Sequence, residues 1–543
     1  MAAAASLVYL LTMDRSASWW DCGEFIATGY LLQVGHPPGA PVYQLLSHLF
    51  MLLSLGNPTL VAPLSNAFSA LCGGLTVGLL YLSLREFGTR RLGALVGALC
   101  YLFCDTAWFS AVESEVYAPA MLFCALDVWL ALRWRRTGNA RLLLLLGLLL
   151  GLGVGVHLMT LLVMPAVALI VIKRVKGKLF PFTFYLLLFT LLGLTPYAIV
   201  PIRAAVNPPI NEYGKDLGSY LRREQYAKAP LYPRMWRERD NANWKTWNAG
   251  RTDLLGNVAY YGSYQLGYMY GRYLMYNFIG RENLRWHCTI PFILPFLLGL
   301  WGLLRHRRRS RENFWVVVLL FLFGGVILNL YLNHPCYEPR ERDYVYVLSF
   351  YAFALWIGIG ADEIDERLKV KGEMLNPLLF LAPLLMAVGN WSDHDRSRCH
   401  SVHDISVNHL ESCASDAILI TLGDNDTFPL WYLQQVEGRR TDISIYNLGL
   451  TGWSNIQKIL TENDFRQPVY VSHYFYQRFG ALFADRLRCS GFCWQLLPDG
   501  DQPPTTDQWL PTFEWHITEG EYIDPIAASF LTIWQQNTGM TPR

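Results

Sequence analysis

The sequence predicts a mainly α, polytopic membrane protein with a C-terminal α/β domain outside the bilayer. Three observations carry this. Of 543 residues, 52% are hydrophobic and only 16% charged, against about 25% charged in an ordinary soluble chain. Long charge-free runs fill the first 390 residues, whereas from Ser392 charges return and apolar runs shorten. Lys and Arg total 45 against 43 Asp and Glu, so no charge excess points to nucleic acid. Disorder is excluded, and so is a wholly soluble enzyme.

A spanning helix needs roughly 20 apolar residues. The runs 62–84, 92–110, 117–132, 180–201, 289–304, 314–332, 344–360 and 374–390 qualify. Residues 142–172 hold no Asp, Glu, Lys or Arg over 31 positions and read as a pair of short helices broken near Gly153–His157. Ala2–Met13 is a short first crossing, borrowing Trp19 and Trp20 at the interface or lacking its beginning. Together these make about eleven crossings.

Five connectors are rich in Lys and Arg: those around Arg85–Arg91, Arg133–Arg141, Lys173–Lys178, Arg305–Arg311 and Arg367–Lys371. Parity along the chain puts all five on one side, which the positive-inside rule makes cytoplasmic. The first loop 14–61, the insertion 202–288 and the tail 391–543 then face outward, and residues 1–390 form the membrane module. Within the first loop, 25–60 should form short helices along the interface. In the tail, Ala417–Leu422 reads as a strand, Gly423–Thr427 as a loop, Phe428–Val436 as a helix and Asp442–Leu448 as a second strand.

Charged groups at the outer ends of the spans are the candidates for chemistry. Asp21 and Glu24 share a face if helical, and Trp20 and Phe25 flank them. A carboxylate among rings suits a general base; helix capping by Asp21 is the plainer alternative. Glu113 and Glu115 in the second outer loop, His36 in the first and His157 in the uncharged hairpin are candidates for a pocket wall. Each is also explicable as solvated or hydrogen-bonded structure. Arg340 and Arg342 lie in a charged outer connector, with Arg203 at similar depth. Guanidinium groups there suit a phosphate, and local salt bridges are the competing account. Asp424–Asn425–Asp426 follows a strand and resembles the Asp-x-Asp that holds a metal–nucleotide sugar in some soluble glycosyltransferases, but a turn is the plainer reading, with a bound cation open. Gly74 and Gly78, at G-x-x-x-G spacing, mark close helix packing. Cys489 and Cys493 lack the further ligands of a zinc site. No metal motif is present, and a divalent cation stays open.

The run WWDCGEFIATGYLLQVGHPPGAPVYQLL (Trp19–Leu46) resembles the transmembrane O-mannosyltransferase-like family, once catalogued as a domain of unknown function. That family includes the animal enzyme acting on IPT domains of plexins, and the likeness is to its long bacterial, Bacteroidetes-type members. It continues through PIRAAVNPPINE (Pro201–Glu212), REQYAKAPLYP (Arg223–Pro233), YMYGRYLMYNFIGREN (Tyr268–Asn283), YEPRERDYVY (Tyr337–Tyr346) and GDNDTFPLWYLQ (Gly423–Gln434). The resemblance implies a GT-C glycosyltransferase body and transfer of a sugar, mannose first, from a polyprenyl phosphate to a hydroxyl, Ser or Thr of an exported protein first. It also implies Asp21 and Glu24 as the acidic pair, a C-terminal domain that is incomplete, and a place in the bacterial inner membrane with a periplasmic site (the lumenal face of the ER membrane if eukaryotic). One displacement with one base inverts the anomeric carbon. A lipid or glycan transporter, or a non-catalytic scaffold, are the other classes; no internal repeat favours a transporter.

Overall fold

A computed structural model describes residues 1–175, 179–226, 229–237, 241–281, 293–338, 340–369, 377–483, 486–498, 513–518 and 521–538. The architecture is mainly helical, with one small sheet near the C-terminus. The helix Val347–Lys369 is the axis of the body. It packs on Arg91–Leu102 and Ile293–Arg309, where Gly93, Gly97, Gly302 and Gly360 let backbones touch. The G-x-x-x-G expectation holds: a Cβ on Gly74 would lie 2.5 Å from the Ser6 nitrogen and one on Gly78 2.8 Å from Ala2 Cβ, so Ala2–Thr12 rides directly on Val61–Glu86.

Among the described residues, Pro58–Glu86, Thr183–Ala204, Arg311–Leu332 and Asp343–Leu368 are long and apolar enough to cross a membrane. Arg91–Leu102 with Asp105–Ala111, bent by 64°, makes a fifth if counted as one span. Four or five of the eleven expected crossings are therefore clear by this measure. The other runs are shorter or broken: Ala2–Thr12 and Ala140–Val154 are under 18 residues, and the hairpin turns through a 3₁₀ segment at Leu158–Val163. Parts of 289–304 and 374–390 lie outside the described residues.

The basic connectors gather at one end of the body. Glu86 takes Arg133 at 3.1 Å and Arg136 at 2.7 Å, Arg135 meets Glu312 at 3.2 Å, and Asp362 joins Arg90 (2.9 Å) to Arg309. Arg174 lies over Trp134, and Arg305 and Arg367 both lie over Trp301. Apart from Arg305 over Trp301, which share a helix, these links join different connectors. In the first loop, short helices are present as expected, Cys22–Leu31 and Pro41–Met51.

The tail's strand–helix–strand reading is observed: β1 (Ile418–Thr421), the helix Phe428–Gln435, and β2 (Ser444–Asn447). With β3 (Val469–Ser472), β4 (Leu487–Ser490) and β5 (Cys493–Leu496) they form a sheet of order β2-β1-β3-β5-β4. β2, β1 and β3 run parallel, and β5 and β4 antiparallel. The β1 burial is complete along its length, so its apolar run is continuous rather than alternating. The loop after β1, at the carboxyl edge of the parallel strands, faces the membrane body.

Candidate active site

Asp21 stands at the N-cap of Cys22–Leu31, yet its side chain makes no capping bond. Its Oδ2 instead faces Arg340 Nη2 at 3.6 Å. The residue before it, Trp20, has φ +61°, a left-handed backbone that a bulky residue adopts at a cost of about 1–3 kcal/mol. Two contacts hold it there. Its N–H donates to Asn425 Oδ1 at 2.7 Å, and its ring lies under the Arg340 guanidinium at 4.4 Å. Tyr344 covers the other face of Arg340 at 4.4 Å and accepts from its Nε at 3.0 Å.

Glu24 is fully buried. Its carboxylate accepts the His36 backbone N–H and binds His36 Nδ1, both at 2.6 Å. Burial works against the imidazolium, but Glu24, with Asp21 and Glu212 beyond, outweighs it and raises the His36 pKa to about 10. The His36 loop is braced by the long insertion: Val34 and Ile210–Glu212 exchange backbone bonds of 3.2 and 2.9 Å, and Tyr220 donates to the Gly35 carbonyl at 2.7 Å. That pairing carries Glu212 to Glu24's side. One ligand atom from each of Asp21, Glu24 and His36 lies within 4.8 Å of the others.

The remaining candidates divide. Glu115 is 3% exposed, and burial, then Asp21, push its carboxyl well up; it stands at the site. Glu113 is held by Arg396 at 3.1 Å, a strut between the second loop and the tail. His157 accepts from the Met159 N–H at 3.2 Å as a helix cap, and its ring packs on Tyr117, which packs on Tyr344. It supports the wall two layers behind Arg340. Arg342 is engaged by Glu338 at 3.1 Å and by the Tyr344 hydroxyl at 2.6 Å. Arg203 donates to the Leu32 and Leu31 carbonyls at 2.5 and 3.1 Å, ending the helix that starts at Asp21, and lines a separate crevice.

Arg340 opens on a cavity of about 500 Å³ walled by Trp20, Tyr268, Tyr273, Tyr344 and Tyr522. Two cations there escaped the sequence reading. Arg272 pairs with Glu341 at 2.7 Å amid three tyrosine rings, and Arg281 pairs with Asp105 at 2.8 Å. Both lie in the YMYGRYLMYNFIGREN run, whose only signal was a basic residue among tyrosines.

Asp424 also escaped. The loop reads correctly as a turn: Asp426 accepts the Leu422 and Gly423 N–H groups at 3.1 and 2.7 Å, and Ser472 Oγ. But Asn425 reaches Trp20, and burial, then Asp21 and Glu24, lift Asp424 to about 6. The sheet unit thus walls the site. A Cβ on Gly23 would lie 2.5 Å from the Phe428 carbonyl oxygen; the space beside Gly23 is filled by the sheet unit's backbone.

Two family models match the chain: the Protein O-mannosyl-transferase TMEM260 N-terminal domain over residues 21–179, and the TMEM260-associated domain 2 over residues 402–457. Among curated proteins, the mouse Protein O-mannosyl-transferase TMEM260 is 25% identical over 82% of this chain and 61% of its own length. The Dictyostelium discoideum relative of the same name is 21% identical over 82% of this chain and 56% of its own length. The chain thus spans about six-tenths of the curated relatives it matches. Among solved structures, the Archaeoglobus fulgidus oligosaccharyltransferase in complex with Zn and sulfate is 11% identical, covering 89% of this chain and 69% of that one, with a TM-score of 0.48. The first match starts at Asp21 and the second spans the loop that touches Trp20, so on both sides of that contact the chain is similar to the TMEM260 protein O-mannosyl-transferases.

Proposed function

We propose that the protein is a membrane glycosyltransferase of GT-C type that moves mannose from a polyprenyl-phosphate donor to a Ser or Thr hydroxyl of an exported protein, with inversion. The observation that carries this is the Asp21–Arg340 pair, 3.6 Å apart at the edge of an aromatic, cation-lined cavity. Transfer from a lipid phosphate needs a base for the acceptor and cationic support for the departing phosphate. Asp21 takes the hydroxyl proton as oxygen attacks the anomeric carbon. The bond to phosphate breaks on the opposite face, and Arg340 receives the charge. Arg272 and Arg281 extend the positive wall where the phosphate and the first lipid units lie. A phosphate leaves without protonation, so one base suffices. Glu24 and His36 hold the turn that aims Asp21.

In this reading the five basic connectors are cytoplasmic, the chain crosses about eleven times, and the sheet unit lies with the site on the outer face. That face is periplasmic in a bacterial inner membrane and lumenal in the ER. The mannose and the protein acceptor come from the names of the relatives. The test is transfer itself: purified chain, polyprenyl-phosphate mannose and a Ser/Thr-containing exported domain should give a hexose-sized mass increase. A protein that binds the donor but leaves the acceptor mass unchanged, or moves the donor between leaflets instead, refutes the reading.

A further inference from the structure

Carboxylates outnumber cations around the Asp21–Glu24 turn, and they come from several separate segments. Asp21 and Glu24 are joined by Glu115, whose first charged neighbour is Asp21, and by Glu212, whose first is Glu24. Asp424 from the sheet unit faces both acids. Among the described residues, Arg340 and His36 stand against these five. Among the described residues, Glu115 Oε2 and Glu212 Oε1 have no hydrogen-bond partner, and their residues are 3% and 8% exposed. A buried carboxylate oxygen without a partner is costly, and two aimed at the same turn call for a shared positive charge.

We propose that Asp21, Glu24 and His36 form a divalent-cation site, with Asp424, Glu115 and Glu212 as the surrounding acids that complete or orient it. The spread of the three ligand atoms, within 4.8 Å of one another, matches a six-coordinate shell with metal–ligand distances of roughly 2.1–2.5 Å. His36 Nδ1 lies 2.6 Å from a Glu24 oxygen, so the two share a proton that the cation displaces, and the neutral imidazole and the carboxylate then ligate from adjacent positions. Asp21 has an oxygen to give as well, since Oδ2 is the one that faces Arg340. Oxygen donors with one imidazole suit a hard cation of the Mg²⁺ or Mn²⁺ kind. Resting on the transfer reading, the cation sits beside Asp21 where it polarises the acceptor hydroxyl, while Arg340 serves the phosphate on the other side.

The test is Mn²⁺ titration of the chelator-stripped full chain in detergent, with free Mn²⁺ read by electron paramagnetic resonance. One saturable site per chain is expected, weakened about ten- to a hundredfold by Glu24→Gln and by His36→Ala. Glu462→Gln, an exposed acid in an ion pair with Lys458, should keep it. The wild-type thermal midpoint should rise with Mn²⁺, a readout that survives if either variant fails to fold. Absence of saturable binding and of a midpoint rise, or equal affinity in the site variants, overturns the site. Transfer that persists in chelator while Asp21→Asn abolishes it overturns the cation and leaves the transferase. Specific Mn²⁺ binding by a chain that transfers no sugar supports the site and overturns the transferase.

Discussion

Replacing Gly23 by alanine tests whether the sheet unit is a fixed wall of the site. The new Cβ would lie 2.5 Å from the Phe428 carbonyl oxygen, 2.7 Å from its carbon and 3.0 Å from the Pro429 nitrogen. All three are backbone atoms, so no rotamer change relieves the clash. Ordinary contact begins near 3.4 Å, and the helix Phe428–Gln435 must retreat by almost 1 Å or tilt. Overpacking of this kind costs about 1–3 kcal/mol. Removing a glycine from a helix returns about 0.5–1 kcal/mol, so the net effect is destabilising. The functional loss should be larger than the stability loss, because the retreat drags Asp424 and Asn425 from Asp21 and Trp20. A displacement near 1 Å of a catalytic constellation costs on the order of 10²-fold in rate. The assays are the thermal midpoint and mannosyl transfer on the same preparation. A Gly23→Ala variant with unchanged midpoint and full transfer would refute both the close docking and its role.

Asp21→Asn should keep fold and donor binding while transfer falls about 10²–10⁴-fold, with Glu24→Gln costing less; full transfer in both would sink the mechanism. Arg340→Ala should weaken donor binding and Arg340→Lys restore it in part, whereas Arg342→Ala should matter less because Glu338 and Tyr344 engage that side chain; the reverse order in a binding titration would reassign the phosphate. Burial raises the Asp14 carboxyl from 3.8 to about 6, against hydrogen bonds from Ser16 and Ser18. The folded state therefore holds that proton more tightly, and stability falls as the pH rises from about 4 through 6, by up to about 3 kcal/mol. Asp14→Asn should flatten that limb in melts across this range; an unchanged slope would remove Asp14 as its source. A reporter fused after Ser392 should be active only outside the cytoplasm, and cytoplasmic activity would reverse the outer-face assignments.

The sequence made the body legible where the physics is local. Apolar runs located most helices, the alternation of basic connectors anticipated their meeting at one end, and the β1–helix–β2 unit followed from its apolar strand and turn chemistry. The candidate site was legible at Asp21 and Glu24, whose spacing and aromatic neighbours are adjacent in the chain. What escaped is what tertiary packing decides. Glu113 looks like a pocket acid until Arg396, 283 residues away, takes it. Arg203 looks like a phosphate ligand until two helix-end carbonyls take its guanidinium. Asp424 looks like a turn residue, and its loop is one; only docking onto Trp20 brings it to the acids.

The Trp20–Asn425 bond joins residues 405 positions apart, and this has a consequence for the order of events in synthesis. A nascent chain displays the Trp-Asp-Cys-Gly-Glu turn as soon as its first loop emerges, hundreds of residues before the sheet unit exists. Until that unit folds and seats its loop, Trp20 lacks its bond to Asn425 and has only the Arg340 guanidinium against its ring. Under the proposed transfer, a young chain lacks the completed site until the sheet unit has been made and docked, so the late synthesis of that unit serves as a licence.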